Sequence, residues 1–205
     1  MNIVVATHNY GKLSEMIFLF KEFIPETYNI NLLSLNKYPD IPEVIEDGST
    51  FQANAVKKAL FTANYTGKMA IADDSGLVVD ALKGEPGIFS SRYSGENATD
   101  EKNNEKLLEK LNNVPKDSRI AHFICVIAVA GPNNLIGTFE GKCNGIIGTK
   151  PKGDNGFGYD PLFIRTDSGK TFAELPHDVK NRISHRARAF EKAAAVIERN
   201  IKLMQ

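Results

Sequence analysis

With 205 residues, 42% of them hydrophobic, the chain is long enough to bury one sizeable core, and a single domain over residues 1–205, at most with two lobes, is expected. Its 25 basic and 25 acidic residues cancel, which excludes the global basic field that grips nucleic acid and leaves room only for local phosphate binding. No apolar stretch is long enough for a membrane span, the start MNIVVATHNYGK lacks the parts of a signal peptide, and two widely spaced cysteines, Cys125 and Cys143, read as reduced, partly buried thiols of a cytoplasmic protein.

In chain order, Asn2 to Thr7 is a short apolar strand, and a helical pattern follows from Lys12 through Leu13, Ile17, Leu19, Phe20 and Phe23. Ile30 to Leu35 reads as a second strand, and the stretch with Pro39, Pro42, Asp47 and Gly48 as a long loop of the kind that often carries function. Ser49 and Gln52 have the form of a capping box, so a helix is expected from near Phe51 to about Asn64. Met69–Ala72 and Leu77–Val79 read as two short strands around Asp73, Asp74, Ser75 and Gly76. Beyond the Gly- and Pro-containing stretch from Gly84 to Gly95, Thr99 or Asp100 caps an amphipathic helix to about Leu111, whose polar face reads as solvated. Arg119–Ala130 and Leu135–Ile147 form an antiparallel hairpin across Gly131–Asn134, so the sheet is expected to be mixed. Lys150 to Asp160 is a Gly-rich loop, Pro161–Ile164 a short strand, and Ser184 caps a last helix to about Met204.

Five groups of residues could carry chemistry. Thr7, Asn9 and Lys12 lie at a strand-to-helix turn, where backbone N–H groups, the helix dipole and an ammonium suit an anionic group such as a triphosphate. The plain alternative is an ordinary turn with Asn9 as helix cap, because the Walker pattern is absent. Asp73 and Asp74 are paired carboxylates of the kind that hold Mg²⁺, together with a loop acid such as Glu46 or its competitor Glu43. The alternative here is an Asp–Ser–Gly turn bonded to its own backbone.

Asn54 and Lys58, four apart on a helix, share a face from which Lys58 could reach a phosphate. Gly156–Phe157–Gly158–Tyr159–Asp160 would let a base stack on a ring while a carboxylate reads its edge. Ser184–His185–Arg186, with Lys180 upstream, offers donors that would favour a purine with oxygen at position 6, where adenine presents a donor of its own. His122 and His177 are assigned no role, and a Ser75–His185 hydrolase triad lacks the Gly-x-Ser-x-Gly elbow.

Taken together, ATHNYGKLSE, EDGSTFQANAVKKA, ADDSGLVVDALKGEPGIFSSRYSG, GFGYDPLF and ISHRARA, in that order over nearly the whole chain, resemble the inosine/xanthosine triphosphate pyrophosphatase family, also called Ham1-like. The resemblance implies an elongated α/β fold with a central mixed sheet, flanking helices and two lobes around an active-site cleft. It further implies Mg²⁺ dependence, a homodimer, and hydrolysis of ITP, dITP or XTP to the monophosphate and pyrophosphate, which clears such nucleotides before they enter nucleic acid.

Carried over by motif, Thr7, His8, Asn9, Tyr10, Gly11 and Lys12 form the triphosphate loop, Asp74 is the proton acceptor and a metal ligand, and Ser75 touches substrate. Glu46 is the second metal-site acid and Lys58 a phosphate contact. Phe157, Gly158, Tyr159 and Asp160 face the base, and Lys180, His185 and Arg186 complete the nucleotide contacts. One departure is Ile45–Glu46–Asp47–Gly48, where many bacterial relatives carry two consecutive acids and then Thr-Gly, so Glu46 and Glu43 both stay open as the loop ligand. The expected chemistry is attack of water on the α-phosphorus. Two other classes compete: a nucleotide-binding regulatory module without turnover, and a phosphodiesterase acting on nucleic acid, which the charge balance disfavours.

Overall fold

A computed structural model describes residues 1–204. Ile3, Val4 and Val5 are apolar without alternation, the pattern of a strand covered on both faces, and all three are buried. They form β1 (Asn2–Val5), followed by α1 (Tyr10–Phe23), β2 (Asn31–Ser34), α2 (Phe51–Thr66), β3 (Met69–Val79) and α3 (Asp100–Lys110). The long strands β4 (Ile120–Gly131) and β5 (Asn134–Ile147), the short β6 (Phe163–Arg165), and helices α4 (His177–Ile183) and α5 (His185–Met204) complete the order. The six strands make one sheet in the order β2-β1-β3-β4-β5-β6. β1 is parallel to both β2 and β3, whereas β5 is antiparallel to β6, so the sheet is mixed and the fold is α/β. Because β4 and β5 are hydrogen-bonded neighbours joined only by Pro132 and Asn133, they form an antiparallel hairpin.

Several local expectations are corrected. The segment from Met69 to Val79 is one strand and not two, so Asp73 and Asp74 lie in the middle of β3 and the Asp–Ser–Gly turn does not form. A charged pair is tolerated inside a strand when each carboxylate finds cations or donors, as these two do. At the head of α2, Thr50 and not Ser49 is the cap: its backbone is extended and its side chain accepts the Ala53 N–H at 3.1 Å. The last helix, His185–Met204, lies where expected, but an unexpected short helix, α4, precedes it and ends at Ser184, whose backbone is extended (ψ 165). β6 starts at Phe163, two residues later than expected. Cys125 and Cys143 are fully buried rather than partly.

The chain divides into two compact units, one of residues 1–74, 125–141 and 186 onward, the other of 75–124 and 142–185. In the first unit, strand alternation splits the core into two faces. Ile3, Val5, Ile71, Cys125 and Ile127 pack with Met16, Leu19 and Phe20 of α1 and with Phe190 and Ile197 of α5. Val4, Ala6, Ala70, Ala72 and Val126 pack with Ala55, Ala59 and Ala63, an i, i+4, i+8 stripe of small residues that lets α2 lie close to the sheet. The second unit has its own core, in which Phe123, Phe163 and Phe172 meet one another and Leu107 of α3 and Leu111 just beyond it join them. Among the described residues no helix is long and apolar enough to cross a membrane.

Candidate active site

The alternation that sorts the core of the first unit continues into its charged residues. Ile71 belongs to the face packed by α1 and α5, and two residues on, Asp73 meets Arg186 of α5 and Lys12 of α1. Ala72 belongs to the α2 face, and Asp74 meets Asn54 and Lys58 of α2. Two consecutive carboxylates are thus sent to opposite sides of one sheet.

On the α1/α5 face, Asp73 Oδ2 accepts from Arg186 Nη2 at 2.8 Å and lies 3.3 Å from Lys12 Nζ, while Arg186 Nη1 also donates to Glu15. Two acids therefore oppose two cations, and Asp73, Glu15 and Arg186 are buried. Burial by itself would raise the Asp73 carboxyl, but Lys12, Arg186 and Lys58 outweigh it and hold the group well below the usual carboxylate range. Arg186, in spite of complete burial, stays charged because Asp73 and Glu15 surround it. Cys125 Sγ lies 4.0 Å from Asp73 Oδ2, and burial pushes this thiol far up, so it is no nucleophile.

The α2 face is balanced differently. Asn54 Nδ2 donates to Asp74 Oδ2 at 3.0 Å, and Asn54 Oδ1 accepts the Gly48 N–H at 2.8 Å, so one amide joins the helix, the acid and the loop before α2. Gly48 is required there, because a Cβ would stand 2.6 Å from Asn54 Oδ1. Lys58 Nζ lies 2.5 Å from Glu46 Oε1 and 3.9 Å from Asp74 Oδ1, so both carboxylates meet the same ammonium. Burial raises the Asp74 carboxyl, Lys58 and Lys12 offset this only in part, and the charge of Glu46 adds to it. Lys58 is held above its ordinary value by Asp73, Asp74 and Glu46 against the cost of burial.

The donor set tests the fit of a metal. Among the described residues there is no group of three or more His, Cys, Asp or Glu placed to hold an ion. Asp74 and Glu46, two carboxylates that meet at Lys58, are oxygen donors of the kind a hard divalent cation takes when waters and substrate phosphates complete its shell. Glu43 is exposed, whereas Glu46 is half-buried and ion-paired.

At the β1–α1 turn, the Asn9 N–H donates to Thr7 Oγ1 at 3.1 Å and the Lys12 N–H donates to Asn9 Oδ1 at 2.9 Å. Asn9 is therefore the helix cap, and the side chain of Lys12, whose N–H it accepts, reaches Asp73. His8, Asn9 and Tyr10 are exposed, and Gly11 is half-buried.

In the second unit, the loop from Gly156 to Asp160 folds around its own acid. Asp160 Oδ2 accepts the Phe157 N–H at 3.0 Å and lies 2.5 Å from Lys180 Nζ, which also stands 4.7 Å from the centre of the Phe157 ring. Gly156 has φ 80 and a Cβ there would come within 2.1 Å of Asp160 Oδ2, so only glycine fits. Tyr159 is buried and donates its hydroxyl to the Ser90 carbonyl at 2.9 Å. His185 is stacked on Phe123 with ring centroids 4.7 Å apart. Ser75 is half-buried on β3, in a strand and not at a nucleophile elbow.

The structure brings Lys12, Asp73 and Arg186 together, and Glu46, Lys58 and Asp74 together. Within the second unit it joins Phe157, Asp160 and Lys180. Sequence reasoning missed Glu15, whose only sign was its place three residues after Lys12 on one helix face. It also passed over the polar face of α3, where Asn103 and Asn104 are buried and not solvated. Asn103 donates to the Ser91 carbonyl and accepts the Ser94 N–H.

The chain resembles known proteins over nearly its full extent. It is 54% identical over 187 residues to the dITP/XTP pyrophosphatase of Geobacter sulfurreducens, covering 91% of this chain and 92% of that one. It is 51% identical over 199 residues to that of Desulforamulus reducens, covering 97% and 96%. The solved structure of the Staphylococcus aureus Ham1 protein matches with a TM-score of 0.84 at 42% identity, covering 98% of this chain and 100% of that chain. The HAM1 protein from Coxiella burnetii matches with a TM-score of 0.85 at 40% identity, covering 97% and 99%. With the Ham1 family model matching residues 3–196 in addition, the chain belongs to the Ham1 family.

Proposed function

We propose that this protein is a metal-dependent pyrophosphohydrolase that cleaves a non-standard purine nucleoside triphosphate, such as ITP, dITP or XTP, to the monophosphate and pyrophosphate. The observation that carries the reading is the division of labour between consecutive acids: Asp73 is paired with Lys12 and Arg186 and held well below the usual carboxylate range, while Asp74 and Glu46 meet at Lys58 and burial raises Asp74. The dITP/XTP pyrophosphatases of the two bacteria above, at about half identity, support the substrate class.

Asp74 and Glu46 would hold Mg²⁺, which when bound offsets charge on the phosphate oxygens. Lys12 and Lys58 would take the phosphates, with Thr7, His8, Asn9, Tyr10 and Gly11 lining the triphosphate loop at the positive end of α1. A water would attack the α-phosphorus as the bond to the β-phosphate oxygen breaks and pyrophosphate leaves. Asp74 would orient that water and accept its proton. Burial makes Asp74 more basic than an ordinary aspartate near 3.9, and the Asn54 amide fixes the plane of its carboxylate.

Ser75 would contact the substrate. Phe157, Gly158, Tyr159 and Asp160 would receive the base, with Lys180 and His185 as donors to a 6-oxygen. Arg186 belongs to the same set, and its pairing with Asp73 and Glu15 makes neutralisation of Asp73 the contribution the geometry favours. A single functional domain, a homodimer and a cytoplasmic location complete the proposal.

The test mixes purified protein and Mg²⁺ with ITP, XTP, ATP and GTP separately and measures pyrophosphate against orthophosphate. Pyrophosphate from ITP and XTP alone is the expected result. Orthophosphate release would move the attack away from the α-phosphorus, and binding without release would favour a regulatory module.

A further inference from the structure

One residue of the 156–160 loop has both of its backbone polar groups held by a single helix. The Gly158 N–H donates to Asp100 Oδ2 at 2.6 Å, and the Gly158 carbonyl accepts from Asn104 Nδ2 at 2.9 Å. Asp100 and Asn104 are four residues apart and so share one face of α3. The two side chains are matched in sense, an acceptor to the donor and a donor to the acceptor. Gly158 has φ 64, yet a Cβ there would meet nothing within 4 Å. Glycine is therefore needed for its backbone conformation alone, and α3 holds that conformation in place.

The amide of Asn104 has only one useful orientation. The residue is buried and its Oδ1 has no hydrogen-bond partner, and turning the amide over would set that oxygen against the Gly158 carbonyl. Nor can α3 drift, because Thr99 caps it, Asn103 is tied to Ser91 and Ser94, and Leu107 and Leu111 sit in the core of this unit. Gly158 separates Phe157, which lies against Lys180, from Tyr159, which is tied to Ser90. Its backbone thus links two neighbours whose side chains are both held.

We propose that Asp100 and Asn104 are positioning residues for base recognition, which fix the Gly158 peptide and through it the surface on which the purine stacks. The proposal rests on the reading of this loop as the base-facing segment. Loss of either contact would weaken nucleotide binding and leave the bond-breaking step alone.

The experiment compares wild type with Asp100→Ala, Asn104→Ala and Asp100→Asn, using ITP as substrate and inorganic triphosphate, which has no base, as competitive inhibitor. Asp100→Ala and Asn104→Ala are expected to raise KM about tenfold with kcat within about twofold, and to leave the inhibition constant of triphosphate unchanged. Asp100→Asn, whose amide oxygen can still accept the Gly158 N–H, should recover most of the affinity. Asp100 is exposed, so its replacement removes no core packing, and it decides the matter if Asn104→Ala does not fold. An unchanged KM in Asp100→Ala, or a triphosphate constant that rises as much as KM, overturns the inference. A wild-type protein that does not cleave ITP overturns instead the functional reading beneath it.

Discussion

The charged cluster around Asp73 and Asp74 and the loop from Phe157 to Asp160 are both built from buried polar groups, but they are held by different means. In the first, a strand does the positioning: alternation along β3 sends one carboxylate to Lys12 and Arg186 and the next to Asn54 and Lys58. In the second, the backbone itself is held, by Asp160 on Phe157 N–H and by α3 on Gly158. Residues on a strand can carry a function that depends on charge, because their direction is set by the ladder. Residues in a loop need their peptide groups pinned one at a time.

The largest effect should come from Asp74, the proposed proton acceptor. Asp74→Asn is expected to lower kcat by about 10²–10⁴ while nucleotide affinity changes far less, a contrast that steady-state kinetics and calorimetric titration would reveal. Near-normal turnover in that variant would remove Asp74 from the chemistry.

Its neighbour should behave in the opposite way. Asp73→Ala takes a carboxylate partner from the buried Arg186 and is expected to cost about 3–5 kcal/mol of folding stability, read as a fall in Tm or in the urea midpoint. Because the folded-state value of Asp73 is depressed, its contribution to stability is complete well above the ordinary value near 3.9 and is lost as pH falls through that value toward the folded one. The gap in Tm between wild type and Asp73→Ala should therefore narrow in acid. A gap independent of pH would mean that packing and not charge is lost.

Two glycines sharpen the same contrast inside the loop. Gly156→Ala brings a Cβ within 2.1 Å of Asp160 Oδ2 at φ 80, so the Asp160–Lys180 contact must shift, and about 1–3 kcal/mol of stability should go together with weaker ITP binding. Gly158→Ala meets no neighbour and should cost only the strain of a left-handed alanine, about 1–2 kcal/mol. Equal losses at the two positions would show that backbone conformation outweighs the close approach at Asp160.

Much of the fold could be read along the chain. The buried run Ile3–Val5, the α1 and α2 patterns and the β4–β5 hairpin are local signals, carried by apolar periodicity and a two-residue link, and they appear where expected. The motifs of the candidate site were also visible, because His8–Lys12, Asp73–Asp74, Phe157–Asp160 and His185–Arg186 are short blocks with distinctive side chains. Glu15, Asn104 and the continuity of β3 were not. Each depends on a partner far away in sequence: Glu15 on Arg186, Asn104 on Gly158, and Asp73 on Lys12 and Arg186.

The sequence by itself determined the family, the order of most elements and the inventory of acids, lysines and aromatics available for chemistry. Tertiary structure alone decided that Asp73 meets Lys12 and Arg186 while Asp74 meets Asn54 and Lys58, because that depends on the faces against which α1, α2 and α5 pack. It also decided that Asn103 and Asn104 on the polar face of a short charged helix are buried, and that the exposed Asp100 carboxylate and the Asn104 amide meet the two backbone polar groups of one glycine.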